Sequence, residues 1–174
     1  MVAELPSERE LVKQLIALVE IRLLDPLEIL LESDQSGLHD RVVEMAAVWA
    51  SRLLGEDEVA ARFAAIRLVS TLYPGDQGFT PPPGWWQTPL GQVMVRRVGH
   101  PTAESVSYAV AGAMLGITRQ GVHDLVVRGK LDRHENKGVT TASVQKRIMS
   151  ATTTETSSTT STPALPMAPI SPTS

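Results

Sequence analysis

Apolar residues recur at intervals of three and four along the first 75 positions, the spacing that places them on one face of a helix. Leu11, Leu15, Ile16, Val19 and Leu23 make the first such stripe, and Ser7 with Glu10 has the spacing of a capping box, which predicts a helix from about Glu8 to Leu24. Asp25-Pro26-Leu27-Glu28 then offers a second N-cap, with proline at the first helical position and an acid at the third. A turn and an immediate restart are expected there, the second helix ending near Ser33. Val42, Val43, Ala46, Ala47, Trp49, Ala50, Leu53 and Leu54 define a third helix that Gly55 stops, and a fourth follows the acids 56–58 on Val59, Phe63, Ile66, Leu68, Val69 and Leu72. Residues 1–75 thus read as an acidic helical bundle. Its core is marginal at that size, so it is expected to form a homodimer or to bind a partner protein.

The pattern breaks between Tyr73 and Thr88, where Pro74-Gly75, Gly78 and Pro81-Pro82-Pro83-Gly84 oppose regular structure. Residues 76–88 read as a linker, with Trp85 and Trp86 anchoring it onto a domain. Thr88-Pro89 caps the next helix, Leu90 to Val98, which needs a core for Val93, Met94 and Val98 and is therefore attached to the segment that follows. It carries Arg96 and Arg97, which suit either phosphate contact or a solvated face.

From Ser107 the punctuation becomes more informative. Ser107 caps a helix through Tyr108, Val110, Ala111, Met114 and Leu115 that Gly116 ends; Ile117-Thr118 leads into a second capped helix, Arg119 to Arg128, closed by Gly129. Two helices across so short a turn are a helix-turn-helix. Val122, Leu125 and Val126 bury one face of the second helix, which leaves Gln120, His123, Asp124 and Val127 facing away, with Arg119 and Arg128 on the flanks. Glutamine suits adenine, arginine suits guanine or a phosphate, and the helix N-terminus capped by Thr118 favours a phosphate. Asp124 is read as facing solvent, since a carboxylate beside phosphates is repelled. Beyond Lys130, residues 131–134 and Val139 read as two short strands around Glu135-Asn136-Lys137-Gly138, after which Thr140 or Thr141 caps a closing helix with Val144 and Ile148. A domain over 89–149 results, followed by a tail, 150–174, in which 18 of 25 residues are Ser, Thr or Pro and which is expected to be disordered.

Charge strengthens this division. The chain has a formal net charge of −3, but residues 1–75 hold 7 Lys and Arg against 13 Asp and Glu, whereas residues 89–149 hold 9 against 4. The second half is suited to a polyanion. There is no cysteine, hence no disulfide framework, and no apolar run approaches the ~20 residues of a membrane span. The acids and proline near Met1 are unlike a secretory signal, so a cytoplasmic, bacterial, nucleoid-associated protein is expected. No phosphate-cradling glycine loop or metal-ligand spacing is present, His39 and Asp40 lie among polar helix positions, and neither an enzyme nor a cofactor or metal is expected.

The run AGAMLGITRQGVHDLVVRGKLDRHENKGVTTASVQKRI resembles the winged helix-turn-helix domains of the MerR and excisionase type. Their paired small residues, Leu-Gly-Val-Ser-Arg, buried Val and Arg-Gly-Lys-Leu find counterparts in Ala111, Ala113, Leu115, Gly116, Ile117, Thr118, Arg119, Val122, Arg128, Gly129, Lys130 and Leu131. The resemblance covers about 42 of 174 residues, and Val110 and Asp124 depart from it. It implies that helix 119–128 enters the major groove of double-stranded DNA while Arg133, His134 and Lys137 touch the backbone or minor groove from the wing. A mainly α fold follows, with a bundle, a winged domain carrying a short β-hairpin and a disordered tail. The function expected is transcriptional regulation. A DNA-bending factor of the excisionase kind and a protein-interaction adaptor acting through the bundle are the alternatives.

Overall fold

The computed structural model describes residues 5–33, 36–75, 78–135 and 138–156, with side chains placed for all of these except 36 and 152–156. The chain is mainly α-helical, with one small three-stranded antiparallel sheet. Helix α1, Glu8–Val19, opens on the capping box: the Ser7 hydroxyl accepts from Glu10 N–H while the Glu10 carboxylate accepts from Ser7 N–H. Leu11, Leu15 and Val19 are buried along its inner face.

Pro26 does not break the chain as its sequence context suggests. Residues Glu20–Leu24 form a π-helical turn, closed by Asp25 N–H donating to the Glu20 carbonyl, and α2, Asp25–Leu31, continues from it with Leu24 and Asp25 both in helical backbone. Asp25 is therefore not an N-cap. The physical reason is local: Pro26 brings no N–H and its ring would clash with the carbonyl four residues back, and a widened turn makes room for both. The sequence shows it as a spacing of five between the buried Val19 and Leu24. α2 itself buries no residue, and its chain leaves through Glu32 in left-handed backbone, φ 48°.

α3 spans Ser36–Leu54, beginning earlier than its apolar stripe suggests, and α4 spans Glu58–Leu72, capped by the Asp57 carboxylate accepting from Ala60 N–H. α1 packs on α3 and α3 on α4. Arg22, from the π-turn, lies over the Tyr73 ring at 4.0 Å and donates to the Leu72 carbonyl, covering the last turn of α4.

The stretch expected to be irregular is partly a folded piece. Pro83–Gln87 makes a 3-10 turn that buries Trp85 and Trp86, and Trp85 joins Tyr73, Phe79 and Trp86 in edge-on or tilted contacts at 4.9–5.9 Å. The Trp85 indole N–H donates to the Tyr73 hydroxyl at 2.9 Å. α5, Pro89–Arg97, follows; Thr88 caps it by accepting from Gly91 N–H, and Gln14 of α1 accepts from Leu90 N–H at 2.7 Å. Although its apolar residues were attached to the C-terminal segment alone, α5 packs against α1 and α4 as well as against later elements. One buried cluster consequently runs from Leu11 and Leu15 through Trp86 and Met94 to Val139, Val144 and Ile148.

His100 caps that cluster from the side, its ring 5.1 Å from Trp86 and its Nδ1 accepting from Ala103 N–H at 3.0 Å. Burial holds its pKa below the usual imidazole value, and the accepting Nδ1 requires the neutral ring. The unfolded chain takes up the proton at about pH 6.5, so this contribution to stability is complete above that pH and is lost as pH falls through the lower folded value. The urea midpoint of the wild type should drop on acidification below about pH 6.5 more steeply than that of His100→Asn, whose amide oxygen can accept in place of Nδ1 without titrating. Parallel slopes for the two proteins would exclude His100 as the titrating group.

The remaining elements are β1, Ser105–Val106; α6, Tyr108–Leu115; α7, Arg119–Val127; β2, Arg133–His134; β3, Gly138–Thr140; and α8, Thr141–Thr156. The strand order is β1-β3-β2, with Arg133 opposite Val139, His134 opposite Gly138, and Val106 opposite Val139 on the other edge. β1 was not expected from the sequence, being only two residues long. A Cβ on Gly138 would stand 2.4 Å from the Val106 carbonyl oxygen, so glycine is what allows β1 to lie this close. Thr140 caps α8 by accepting from Ser143 N–H, while Thr141 donates to the carbonyls of Ala103 and Glu104 and ties α8 to the start of β1. The helix reaches seven residues into the stretch 150–174 expected to be disordered; positions 157–174 lie outside the described residues. No helix among the described residues is long and apolar enough to cross a membrane.

Candidate nucleic-acid interface

The geometry around α7 begins with two helix ends. Ser107 caps α6 by accepting from Val110 N–H, and Gly116 ends it in left-handed backbone, φ 68°, with Ile117 N–H returning to the Gly112 carbonyl at 2.9 Å. Thr118 then caps α7 by accepting from Gly121 N–H at 3.1 Å. At the other end Lys130 N–H returns to the Leu125 carbonyl at 2.8 Å while Gly129 sits at φ 65°. Both helices therefore have the ends that their capping residues prescribe, and only three residues, 116–118, separate them.

α7 is held by one face. Val122 is buried, Leu125 and Val126 are half-buried, and the helix packs chiefly on α6, itself wholly buried from Ala111 to Leu115. The opposite face is open: Arg119, Gln120, His123, Asp124, Val127 and Arg128 are exposed. Gln120 donates to Asp124 at 3.3 Å, and Asp124 forms no ion pair with Arg128. The His123 ring lies 6.3 Å from that of Tyr108 and remains exposed.

Cations continue from α7 into the hairpin. Arg119, Arg128, Lys130 and Arg133 are exposed, and none is in an ion pair among the described residues. His134 is half-buried in β2 opposite Gly138. Lys137, expected at the hairpin tip, lies outside the described residues.

The arginine pair of α5 is not part of this constellation in the way expected. Arg97 turns to the α3–α4 junction, where it donates to the carbonyls of Leu53 at 3.0 Å and Gly55 at 2.8 Å and to the Glu58 carboxylate, leaving its side chain 8% exposed. A guanidinium so enclosed is a structural tie rather than a phosphate contact. Arg96 is half-buried and already engaged within the chain. Val127, with 73% of its surface exposed, is the one large apolar side chain on the open face of α7, suited to a thymine methyl group. Comparison with protein-family models, curated proteins and solved structures finds no match for this chain.

Proposed function

We propose that the chain is a sequence-specific double-stranded DNA-binding protein, a transcriptional regulator, in which α6, its turn and α7 work as a helix-turn-helix and β2 with β3 as a wing. The observation that carries this reading is α7 itself: a doubly capped helix fixed by its inner face, with an open outer face bordered by cations that are in no ion pair among the described residues. A solvated helix in a protein of net charge −3 has no structural need of that arrangement, whereas a helix laid in a major groove does. In this reading Arg119 and Gln120 reach base edges from the first turn of α7, the N–H groups beside Thr118 meet a phosphate, and Arg128, Lys130, Arg133, His134 and Lys137 hold the backbone. The helices preceding residue 75 self-associate, so that two copies read two half-sites. Such a protein works at the nucleoid in the bacterial cytoplasm.

The test starts from a preferred duplex selected out of a random pool, with a scrambled duplex of equal length as its control. Arg119→Ala should lose about 1–3 kcal/mol on the preferred duplex, or roughly 5- to 150-fold in Kd, and much less on the scrambled one. Lys130→Ala should weaken both about equally and flatten the salt dependence by about one counterion. If fluorescence anisotropy shows the preference unchanged in Arg119→Ala, α7 is not the reading helix; if the wild type shows no salt-dependent duplex binding, the DNA reading fails altogether.

A further inference from the structure

An open groove of about 610 Å³ lies in the N-terminal half, walled by Leu27 of α2, by Val42, Met45 and Trp49 of α3 and by Phe63 and Leu68 of α4. Three cations, Arg41, Arg52 and Arg67, stand on its lining. Arg41 pairs with the neighbouring Glu44, while Arg52 and Arg67 are in no ion pair among the described residues. Arg41 and Arg52 are eleven residues apart on one helix, so the positive charge is spread over about 16 Å of groove.

The same chain carries a surface of the opposite kind. α2 buries none of its residues, and Ile29, Leu30 and Leu31 are exposed by 76%, 77% and 59%. Acids at 25 and 32 flank these apolar positions, about 10 Å apart along the helix. An exposed cluster of this size on so short a helix ordinarily marks a contact.

We propose that the groove bordered by α3, α4 and the start of α2 receives the exposed apolar face of α2 from a second copy of this chain, and that the exchange is reciprocal about a two-fold axis. Each copy then supplies an acidic apolar helix and an arginine-bordered apolar groove, which is the self-complementarity an isologous dimer requires. The spread of the charge decides against a small amphiphile as occupant: a single anionic head group is served by one cation, whereas cations at both ends of an apolar trough fit an elongated body with acids along its length. The inference rests on the self-association in the proposed function and is independent of whether the chain binds DNA.

Sedimentation velocity on the full chain tests it, from nanomolar to high micromolar concentration, with two variants at exposed positions whose folding circular dichroism verifies. Leu30→Asp spoils the inserted helix and Phe63→Asp spoils the groove. The wild type should dimerise, and each variant should weaken the dimer by about 10- to 100-fold or more, since each reciprocal interface loses its apolar contact twice. Mixing the two variants should restore association beyond that of either alone, because one of the two junctions then joins an intact helix to an intact groove. A dimer unaffected by either substitution places the interface elsewhere and overturns the proposal while leaving self-association standing. Two monomeric variants that do not associate when mixed overturn the exchange. A wild type that stays monomeric overturns both, and calorimetric binding of dodecanoate to that monomer, lost in Phe63→Asp, would assign the groove to a small amphiphile.

Discussion

Trp86→Ala should cost about 3–5 kcal/mol of folding stability, the range for emptying a large aromatic site in a packed core. Trp86 is completely buried, touches Trp85 and His100 at about 5 Å, and belongs to the cluster that links α1 to the segment after residue 100. Its indole N–H has no hydrogen-bond partner among the described residues. That donor is a standing cost, since burying an unpaired N–H is unfavourable by about 1–3 kcal/mol. Trp86→Phe removes it together with part of the ring, and the two changes offset one another, so this variant should stay within about 1–2 kcal/mol of the wild type. Urea denaturation followed by circular dichroism measures both. Equal losses in the two variants would mean that the indole outline, rather than burial, is what the site requires.

Arg97→Ala should cost about 2–3 kcal/mol, the second largest effect expected, and should leave the DNA affinity of the folded protein unchanged. The last carbonyls of a helix have no partner within it, and in α3 the Leu53 carbonyl and the following Gly55 carbonyl are both satisfied by this guanidinium. Lysine at 97 would recover only part of the loss, lacking the planar fork that addresses two carbonyls and a carboxylate together. Glu58→Ala should cost under about 1 kcal/mol, because Glu58 is 69% exposed and water takes over much of its role. Denaturation midpoints separate the three variants. A fall in duplex affinity of Arg97→Ala at temperatures where it remains folded would instead restore Arg97 to the phosphate-contacting set.

What the sequence made legible follows the range of the interactions involved. The caps Ser7, Ser107 and Thr118 and the terminators Gly116 and Gly129 act on residues two to five positions away, and all five do in the structure what their spacing indicates. The pairing of Arg133 and His134 with β3 is equally local. Arg97 is the opposite case: its partners lie 39 to 44 residues back, and nothing beside it distinguishes a buried tie from a solvated cation. Trp86 reads only as a linker anchor and α5 as a helix in need of the C-terminal core, yet their burial comes from packing that joins α5 to α1 and α4 as well. β1 is too short for any alternation to register, and it exists because Gly138 leaves room for it. For the candidate interface, the open face of α7 was readable from helical periodicity. Which of the nearby cations are committed to other partners was not.

The widened turn at Glu20–Leu24 also decides which changes of length this helix tolerates. It accommodates one residue more than a regular helix would, whereas in a regular turn each residue removed or added rotates everything beyond it by about 100° and shifts it by about 1.5 Å. A chain one residue shorter here would close into ordinary α-helix and keep Ile29, Leu30 and Leu31 on nearly the same side of the axis, whereas one residue more would turn them away from it. Substitutions in α2 alter one side chain at a time. A further insertion in the turn re-aims the whole apolar surface at once, so the spacing between Val19 and Leu24 sets the direction in which that surface faces.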